Sequence, residues 1–317
     1  MTGTHWHQRI VTVFGGGGFI GRYVCEALFK TGVRVRVAQR TPRDAFFLQP
    51  LAAVGQLDLV RADFTRPDTL GAAVEGAWGV INLVGAFSGK LDAIHGSAPG
   101  RIAELAAATG AESLVHVSAI GVSEDSPSTY ARTKAAGEAA VRKAYPRASI
   151  VRPSVVFGPE DDFTNRFAGM ARMPFLPVLG GGTRFQPIFA RDLGQAIARA
   201  ALEPERFGGE TYELGGPDVF TMAELNAVIA EAAGQSPEIL PLPNFVGDAM
   251  SRLGFLPGAP ITRDQWLMLQ KDNVASGPGL EAFGITPTPL PAVAPEWLGR
   301  FHKGGRFASR RAQASVG

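Results

Sequence analysis

The sequence is poor in cysteine, holding one, Cys25, in 317 residues. A lone thiol excludes an internal disulfide and any Cys-rich zinc or iron–sulfur site, and it points to a reducing compartment. Long apolar runs are missing as well: no stretch of ~18 residues is free of charge, so no spanning helix is expected. Residues Met1–Arg9 lack an apolar signal core, and neither a secretory signal nor a transit peptide is expected. Excess charge of one sign is absent too. Lys and Arg number 31 against 29 Asp and Glu, a net +2, so no bulk field invites nucleic acid. What is plentiful is apolar: 45% of residues, with 19% charged, which excludes a disordered polymer. A cytoplasmic, core-forming chain of one large domain or two is the expectation. One asymmetry stands out at the end. From Glu296 to Gly317, Arg300, Lys303, Arg306, Arg310 and Arg311 face one acid, a local +4 that leaves −2 for the rest. That tail is either a solvated terminus or a contact for an acidic partner or the inner face of an anionic membrane.

The first half alternates β-branched runs with helical stretches. Strands are expected at Ile10–Phe14, Val33–Ala38, Leu57–Arg61, Gly79–Val84, Leu114–Ser118 and Ser149–Phe157. Helices are expected at Gly18–Lys30, Thr69–Val74, Ala93–Thr109 and Ser128–Ala144. Strands that are apolar nearly throughout are those covered on both faces, and repeated β-then-α order implies right-handed crossovers. The fold class is therefore α/β, a doubly wound parallel sheet. Residues 1–157 form the nucleotide-binding domain, with a return segment near 183–202. Residues 158–300 form a smaller, mostly helical lobe, and 301–317 a basic tail. Helices in the lobe and return segment are expected at Arg191–Leu202, Met222–Ala233, Phe245–Leu253 and Arg263–Lys271, with Thr221 and Glu224 reading as a capping box.

The run Phe14-Gly15-Gly-Gly-Gly18-Phe19-Ile20-Gly21-Arg22 carries the most chemistry. Gly15 permits a tight turn after the strand, Gly18 lets backbone approach a pyrophosphate, and Gly21 lets helix pack on strand. The helix opening at Phe19 and Ile20 aims its amide groups and positive dipole end at the phosphates. About 20 residues on, where an NAD site holds an acid for the ribose hydroxyls, the second strand ends Gln39-Arg40. Arg22 and Arg40 suit a 2′-phosphate, since guanidinium pairs bidentately with phosphate oxygens, so the expected cofactor is NADP(H). The alternative is that Arg40 is only an exposed strand end.

Tyr130 and Lys134 lie four apart on a helical stretch and share one face. A phenol titrates near 10, and a nearby ammonium favours its phenolate, which suits proton donation and recovery at neutral pH. Among other candidates, a metal at His5 and His7 is not expected, His116 reads as a satisfied core residue, and Cys25 reads as packing. Asp161-Asp162 looks like a polar loop. The amphipathic stretch with Phe245, Met250, Leu253 and Phe255 either packs into the core or meets a partner.

With these residues assembled, the chain resembles the atypical and extended short-chain dehydrogenases/reductases of the NAD(P)-binding Rossmann superfamily. It is most similar to bacterial relatives of the complex I accessory-subunit family called alpha subcomplex subunit 9. The marks are Phe14–Arg22, Val80-Ile-Asn-Leu-Val-Gly85, His116-Val-Ser118, Tyr130–Glu138, Val151–Gly158, Phe185–Asp192 and Ile285-Thr-Pro-Thr-Pro-Leu290. The resemblance implies cofactor contacts at Gly15, Gly18, Gly21, Arg22, Arg40, Tyr130 and Lys134. It adds adenine contacts at Asp63 and Phe64, a nicotinamide-ribose edge at Leu83 and Val84, and further contacts at Phe19, Ile20, Ser118 and Pro153. It also implies a catalytic hydroxyl where this chain has Ile120, leaving Ser118, Ser123 or Ser128 to serve beside Tyr130 and Lys134. Three functions follow: a complex I accessory factor with a structural nucleotide, an active NADP-dependent reductase, dehydrogenase or epimerase of a small carbonyl, and a sensor of the NADP+/NADPH ratio.

Overall fold

The computed structural model describes residues 6–254 and 261–302. The chain divides into two compact units. The first comprises residues 1–153, 190–214 and 276–286, and the second residues 154–189, 215–275 and 287–317. His5, Phe255 and the basic tail from Lys303 onward lie outside the described residues.

The first unit is built on seven strands: β1 (Ile10–Phe14), β2 (Arg34–Gln39), β3 (Leu57–Arg61), β4 (Gly79–Asn82), β5 (Ser113–Val117), β6 (Ser149–Pro153) and β7 (Thr211–Leu214). All pair parallel, in the order β7-β6-β5-β4-β1-β2-β3. The register sets Val11 beside Val35 and Val13 beside Val37 on one side of β1, and Val13 beside Ile81 on the other. These central strands are buried on both faces, which is why they lack polar alternation. Strand order reverses between β1 and β4, and in such sheets ligands bind beyond the carboxyl ends of the strands at that point.

The helices of this unit are α1 (Phe19–Phe29), α2 (Leu70–Val74), α3 (Ala98–Ala108), α4 (Thr129–Ala144) and α5 (Ala190–Leu202). Helix α5 packs on α1, and α3 packs on α4. The α2–α4 side of the sheet closes over Phe14, Leu70, Val80, Ile102, Leu114 and Ile150, with Phe14 and Phe64 edge to face at 5.7 Å. Glycines set the close approaches between helices. A Cβ at Gly194 of α5 would sit 2.7 Å from the Tyr23 backbone on α1, and one at Gly137 of α4 would sit 1.8 Å from the His95 carbonyl oxygen.

Three differences from expectation have local causes. The strand expected over Ser149–Phe157 is two: β6 stops at Pro153, which has no amide to continue the ladder, and Val156–Phe157 pairs with Ile188–Phe189 in the second unit. The helix expected from Ala93 opens as a π-helical turn, Asp92–Ser97, before α3. Strand β7, a four-residue edge hidden between Gly209 and Gly215, was too short for its pattern to register.

In the second unit, three short strand pairs and several helices surround Phe157, Leu176, Phe185, Ile229, Leu290 and Trp297. Asn273 ties its loops together. Its side-chain oxygen accepts from Ser154 Oγ (2.7 Å) and Val155 N–H (3.0 Å), while its own N–H donates to Arg184 (2.8 Å). Asp161 is no loop ornament but the cap of helix Asp162–Met170, accepting from Thr164 and from the Gly158 N–H at 3.0 Å. The helix Asn244–Arg252 turns Gly247 and Ser251 inward, with Gly247 against the Trp266 ring, and leaves Phe245 73% exposed. Core packing of Phe245 is thereby overturned: the tryptophan face admits only a glycine. Among the described residues no helix is long and apolar enough to cross a membrane.

Candidate functional site

The glycine turn stands at the carboxyl end of β1. Gly15 adopts φ +80°, its N–H donates to Ala38 of β2 (3.0 Å), and its carbonyl accepts from Gly18 N–H (3.0 Å). A Cβ at Gly21 would fall 2.3 Å from the Gly15 carbonyl oxygen and 2.5 Å from that of Gly16; one at Gly18 would stand 3.2 Å from the Gly15 oxygen. Helix α1 begins at Phe19 with Gly18 as its cap residue and no side-chain cap bond. Its amino end thus keeps the positive potential and amide donors that suit a phosphate. The Val84 side chain lies 3.3 Å from where a Gly15 Cβ would be, so Leu83 and Val84, both half-buried, border the same turn. Beneath the loop, the buried Cys25 thiol donates to the Gly16 carbonyl at 3.8 Å, and burial pushes its pKa far up. Cys25 is packing, as its sequence context implied.

Gln39 was missed. Its side-chain oxygen accepts from Gly17 N–H (2.9 Å) and its amide donates to the Thr41 carbonyl (2.7 Å), so it braces the turn from β2. The only sequence sign was a glutamine where nucleotide folds often place an acid. Arg40, next along, is exposed. Arg22 lies with its guanidinium carbon 4.5 Å from the centre of the Phe47 ring. Asp63 accepts from the Thr65 N–H (2.9 Å) and hydroxyl (2.8 Å), and these bonds, helped by the Arg40 charge, hold its carboxyl below the usual range. Phe64 is core.

Tyr130 and Lys134 lie on α4 as expected, and both are buried. The Lys134 ammonium donates to the Val117 carbonyl at 3.0 Å. Burial brings its pKa down to about 8, against the opposing pull of Glu138. Glu138 accepts two hydrogen bonds from Arg152 (2.9 and 2.7 Å), and Arg152 also reaches Glu213 at 3.5 Å. The Tyr130 ring is flanked by two aromatics that sequence reasoning missed. Phe87 stacks on it at 4.9 Å and His95 meets it edge-on at 5.2 Å.

His95 sits in the π-helical turn. Its Nε2 accepts from Ala86 N–H (2.9 Å), so the ring proton is on Nδ1, which faces Thr133 Oγ1 at 3.2 Å; that hydroxyl donates to the Tyr130 carbonyl at 3.1 Å. The relay ties the loop after β4 to α4. Burial, with the Lys134 charge, lowers the His95 pKa to about 4 and keeps the ring neutral. A π-turn was the available signal only in retrospect, since such turns gather at functional sites.

The three serines separate clearly. Ser128 caps α4, accepting from Ala131 N–H at 3.2 Å, and Ser123 accepts from Asp125 N–H in a surface turn. The Ser118 hydroxyl is buried with no hydrogen-bond partner among the described residues. Ile120 is buried, and its N–H donates to the Pro153 carbonyl (3.2 Å), so Pro153 closes the floor of this corner. His116 is only half satisfied. Its Nδ1 accepts from the Asn82 amide at 3.1 Å, while Nε2 has no partner among the described residues. A turn whose Gly21 leaves no room for a Cβ, an uncapped helix start and an orphaned buried hydroxyl beside β5 together fit a dinucleotide.

Comparison with known proteins agrees with this geometry. The sequence matches the NAD dependent epimerase/dehydratase family over residues 11–215. It is 34% identical, over 316 residues, to the mitochondrial NADH dehydrogenase (ubiquinone) 1 alpha subcomplex subunit 9 of Arabidopsis thaliana, spanning 93% of this chain and 79% of that protein. It is 32% identical, over 242 residues, to the ceramide reductase of Caulobacter vibrioides, spanning 75% and 74%. The triphenylmethane reductase of Citrobacter sp., solved with NADP(H), has a TM-score of 0.73 at 17% identity, covering 90% of this chain and 99% of that one. At that identity the likeness shows the fold.

Proposed function

The chain belongs to the NAD dependent epimerase/dehydratase family, and from that premise we propose that it holds NADP(H) as a structural nucleotide and serves as an accessory factor of respiratory complex I, peripheral to the inner face of the membrane. One observation carries the nucleotide choice. Beside the glycine cradle, β2 ends at Gln39 and is followed by Arg40, without a carboxylate, and α1 offers Arg22 directly after Gly21. Gly15, Gly18, Phe19, Ile20, Gly21 and Arg22 would hold the phosphates, with Arg40 on the 2′-phosphate. Asp63 and Phe64 would border the adenine. Leu83, Val84, Ser118, Tyr130, Lys134 and Pro153 would line the nicotinamide half. The bound group supplies hydride chemistry where a substrate is present. Here its free energy of binding adds to that of folding, about 2.7 kcal/mol at a hundredfold excess over Kd. Buried Ile120, in the place of the hydroxyl that positions a substrate oxygen, fits a retained nucleotide. The relationship to alpha subcomplex subunit 9 supports the assembly role. Mass spectrometry of the purified protein tests the first claim: a co-purifying NADP(H) is expected, and co-purifying NAD(H) refutes it. Capture of complex I subunits from solubilised membranes tests the second, and their absence refutes it.

A second reading is an active reductase of a small carbonyl. The orphaned Ser118 hydroxyl favours it, as does the relationship to a ceramide reductase. In that reading Ser118 Oγ orients the substrate oxygen, Tyr130 Oη moves the proton, and Lys134 Nζ holds the ribose. Replacing Tyr130 with Phe separates the two. A fall in turnover of order 10²-fold or more establishes catalysis, whereas unchanged nucleotide affinity and complex capture establish the structural role.

A further inference from the structure

The segment Pro42–Leu51, which follows Arg40 and Thr41, makes none of the hydrogen bonds of the glycine turn described above. It is a 3-10 helix, so residues three apart share a face. Ala45 and Leu48 are fully buried and anchor it. Phe47 does not join that buried face and is 38% exposed. What it meets is the guanidinium of Arg22, at 4.5 Å from the ring centre.

We propose that Phe47 is a specificity-determining residue of the nucleotide site, a shelf that holds the Arg22 guanidinium ready for a phosphomonoester on the adenosine ribose. The inference rests on the NADP(H) reading and adds the means by which selectivity is built. Arginine carries a large rotamer entropy, and its planar head stacks on aromatic faces. Seating that head on Phe47 before the ligand arrives removes ordering from the cost of binding. The surroundings suit the task. The Gln39 amide is locked between Gly17 and Thr41 and adds no charge, and the Asp63 carboxylate is engaged by Thr65. The ligand class is a 2′-phosphorylated adenosine; a nucleotide with a free 2′-hydroxyl gains nothing from the shelf.

Titration calorimetry of the full chain with NADPH, NADH, 2′,5′-ADP and 5′-AMP tests this, with Phe47→Leu and Phe47→Tyr each measured alone and in an Arg22→Gln background. Phe47→Leu is expected to weaken NADPH and 2′,5′-ADP about two- to fivefold, the range of an exposed cation–π contact, and to leave NADH and 5′-AMP unchanged. Phe47→Tyr should retain wild-type selectivity, and Phe47→Leu should cost nothing once Arg22 is Gln. Equal losses for NADPH and NADH overturn the proposal, because the ring then serves the adenosine itself. So does a loss that persists without Arg22, or a Phe47→Leu protein as selective as wild type. Wild-type protein that grips NADH as tightly as NADPH instead overturns the NADP(H) reading on which the proposal stands.

Discussion

Replacing Gly21 with Ala sets two calculable effects against each other. Inside an exposed helix the change is favourable by up to about 1 kcal/mol, because alanine loses less backbone freedom on folding. At Gly21 the new methyl would lie 2.3 Å from the Gly15 oxygen, 2.5 Å from the Gly16 oxygen and 2.6 Å from the Gly16 carbonyl carbon. All three are backbone atoms of the phosphate turn, so no side chain can swing away, and either α1 or the turn must move. Overpacking of this kind costs about 1–3 kcal/mol, occasionally more, which outweighs the propensity gain. The variant should therefore lose about 1–2 kcal/mol of stability by urea unfolding. It should also bind NADPH at least about tenfold more weakly, equivalent to 1.4 kcal/mol, because the distorted atoms are those of the cradle. Gly71→Ala in α2 is the control: nothing lies within 4 Å of its added methyl, and stability should hold or rise. A Gly21→Ala protein that melts at or above the wild-type temperature with nucleotide affinity intact would refute the close-packed turn.

Other expectations concern the Tyr130 corner. The folded-state pKa of His95 lies near 4, below its ordinary 6.5, so the unfolded chain takes up the proton first. Stability is then full above pH 6.5 and falls as pH drops towards 4. His95→Gln should flatten that loss by about 1 kcal/mol between pH 7 and 5 in urea titrations, and an unchanged slope counts against the neutral relay. Lys134, held near 8 against 10.5, makes the wild type gain stability between those two pH values. Lys134→Met should lack this rise, and an identical rise in both proteins would assign it to other groups. Glu138→Gln leaves Arg152 with only Glu213 at 3.5 Å and should cost about 2–4 kcal/mol. A change within 0.5 kcal/mol would mean that the bidentate pair is solvated.

The doubly wound sheet was legible because central strands covered on both faces advertise themselves as unbroken apolar runs, as in Ile10–Phe14 and Gly79–Asn82. The glycine turn was legible for a related reason: each glycine answers a local steric demand that spacing alone reveals. What stayed hidden depends on contacts distant in sequence. His95 matters through Ala86 and Thr133, Gln39 through Gly17, and Phe47 through Arg22, and none of these pairings leaves a periodic trace. The same holds for the serines, since only the fold reveals that Ser128 is committed to a cap while Ser118 is not. Pro153, by contrast, was a visible strand breaker, and the expected nine-residue strand ran past it.

The lone thiol tucked under Gly16 has a practical consequence. Because Cys25 is the chain's single cysteine and its sulfur is buried against the underside of the phosphate turn, a thiol-directed reagent has one target and no route to it in the folded protein. Alkylation must wait for the fold to open around that sulfur, locally or globally, so its rate reports that opening, and a ligand that stabilises the folded state should slow it.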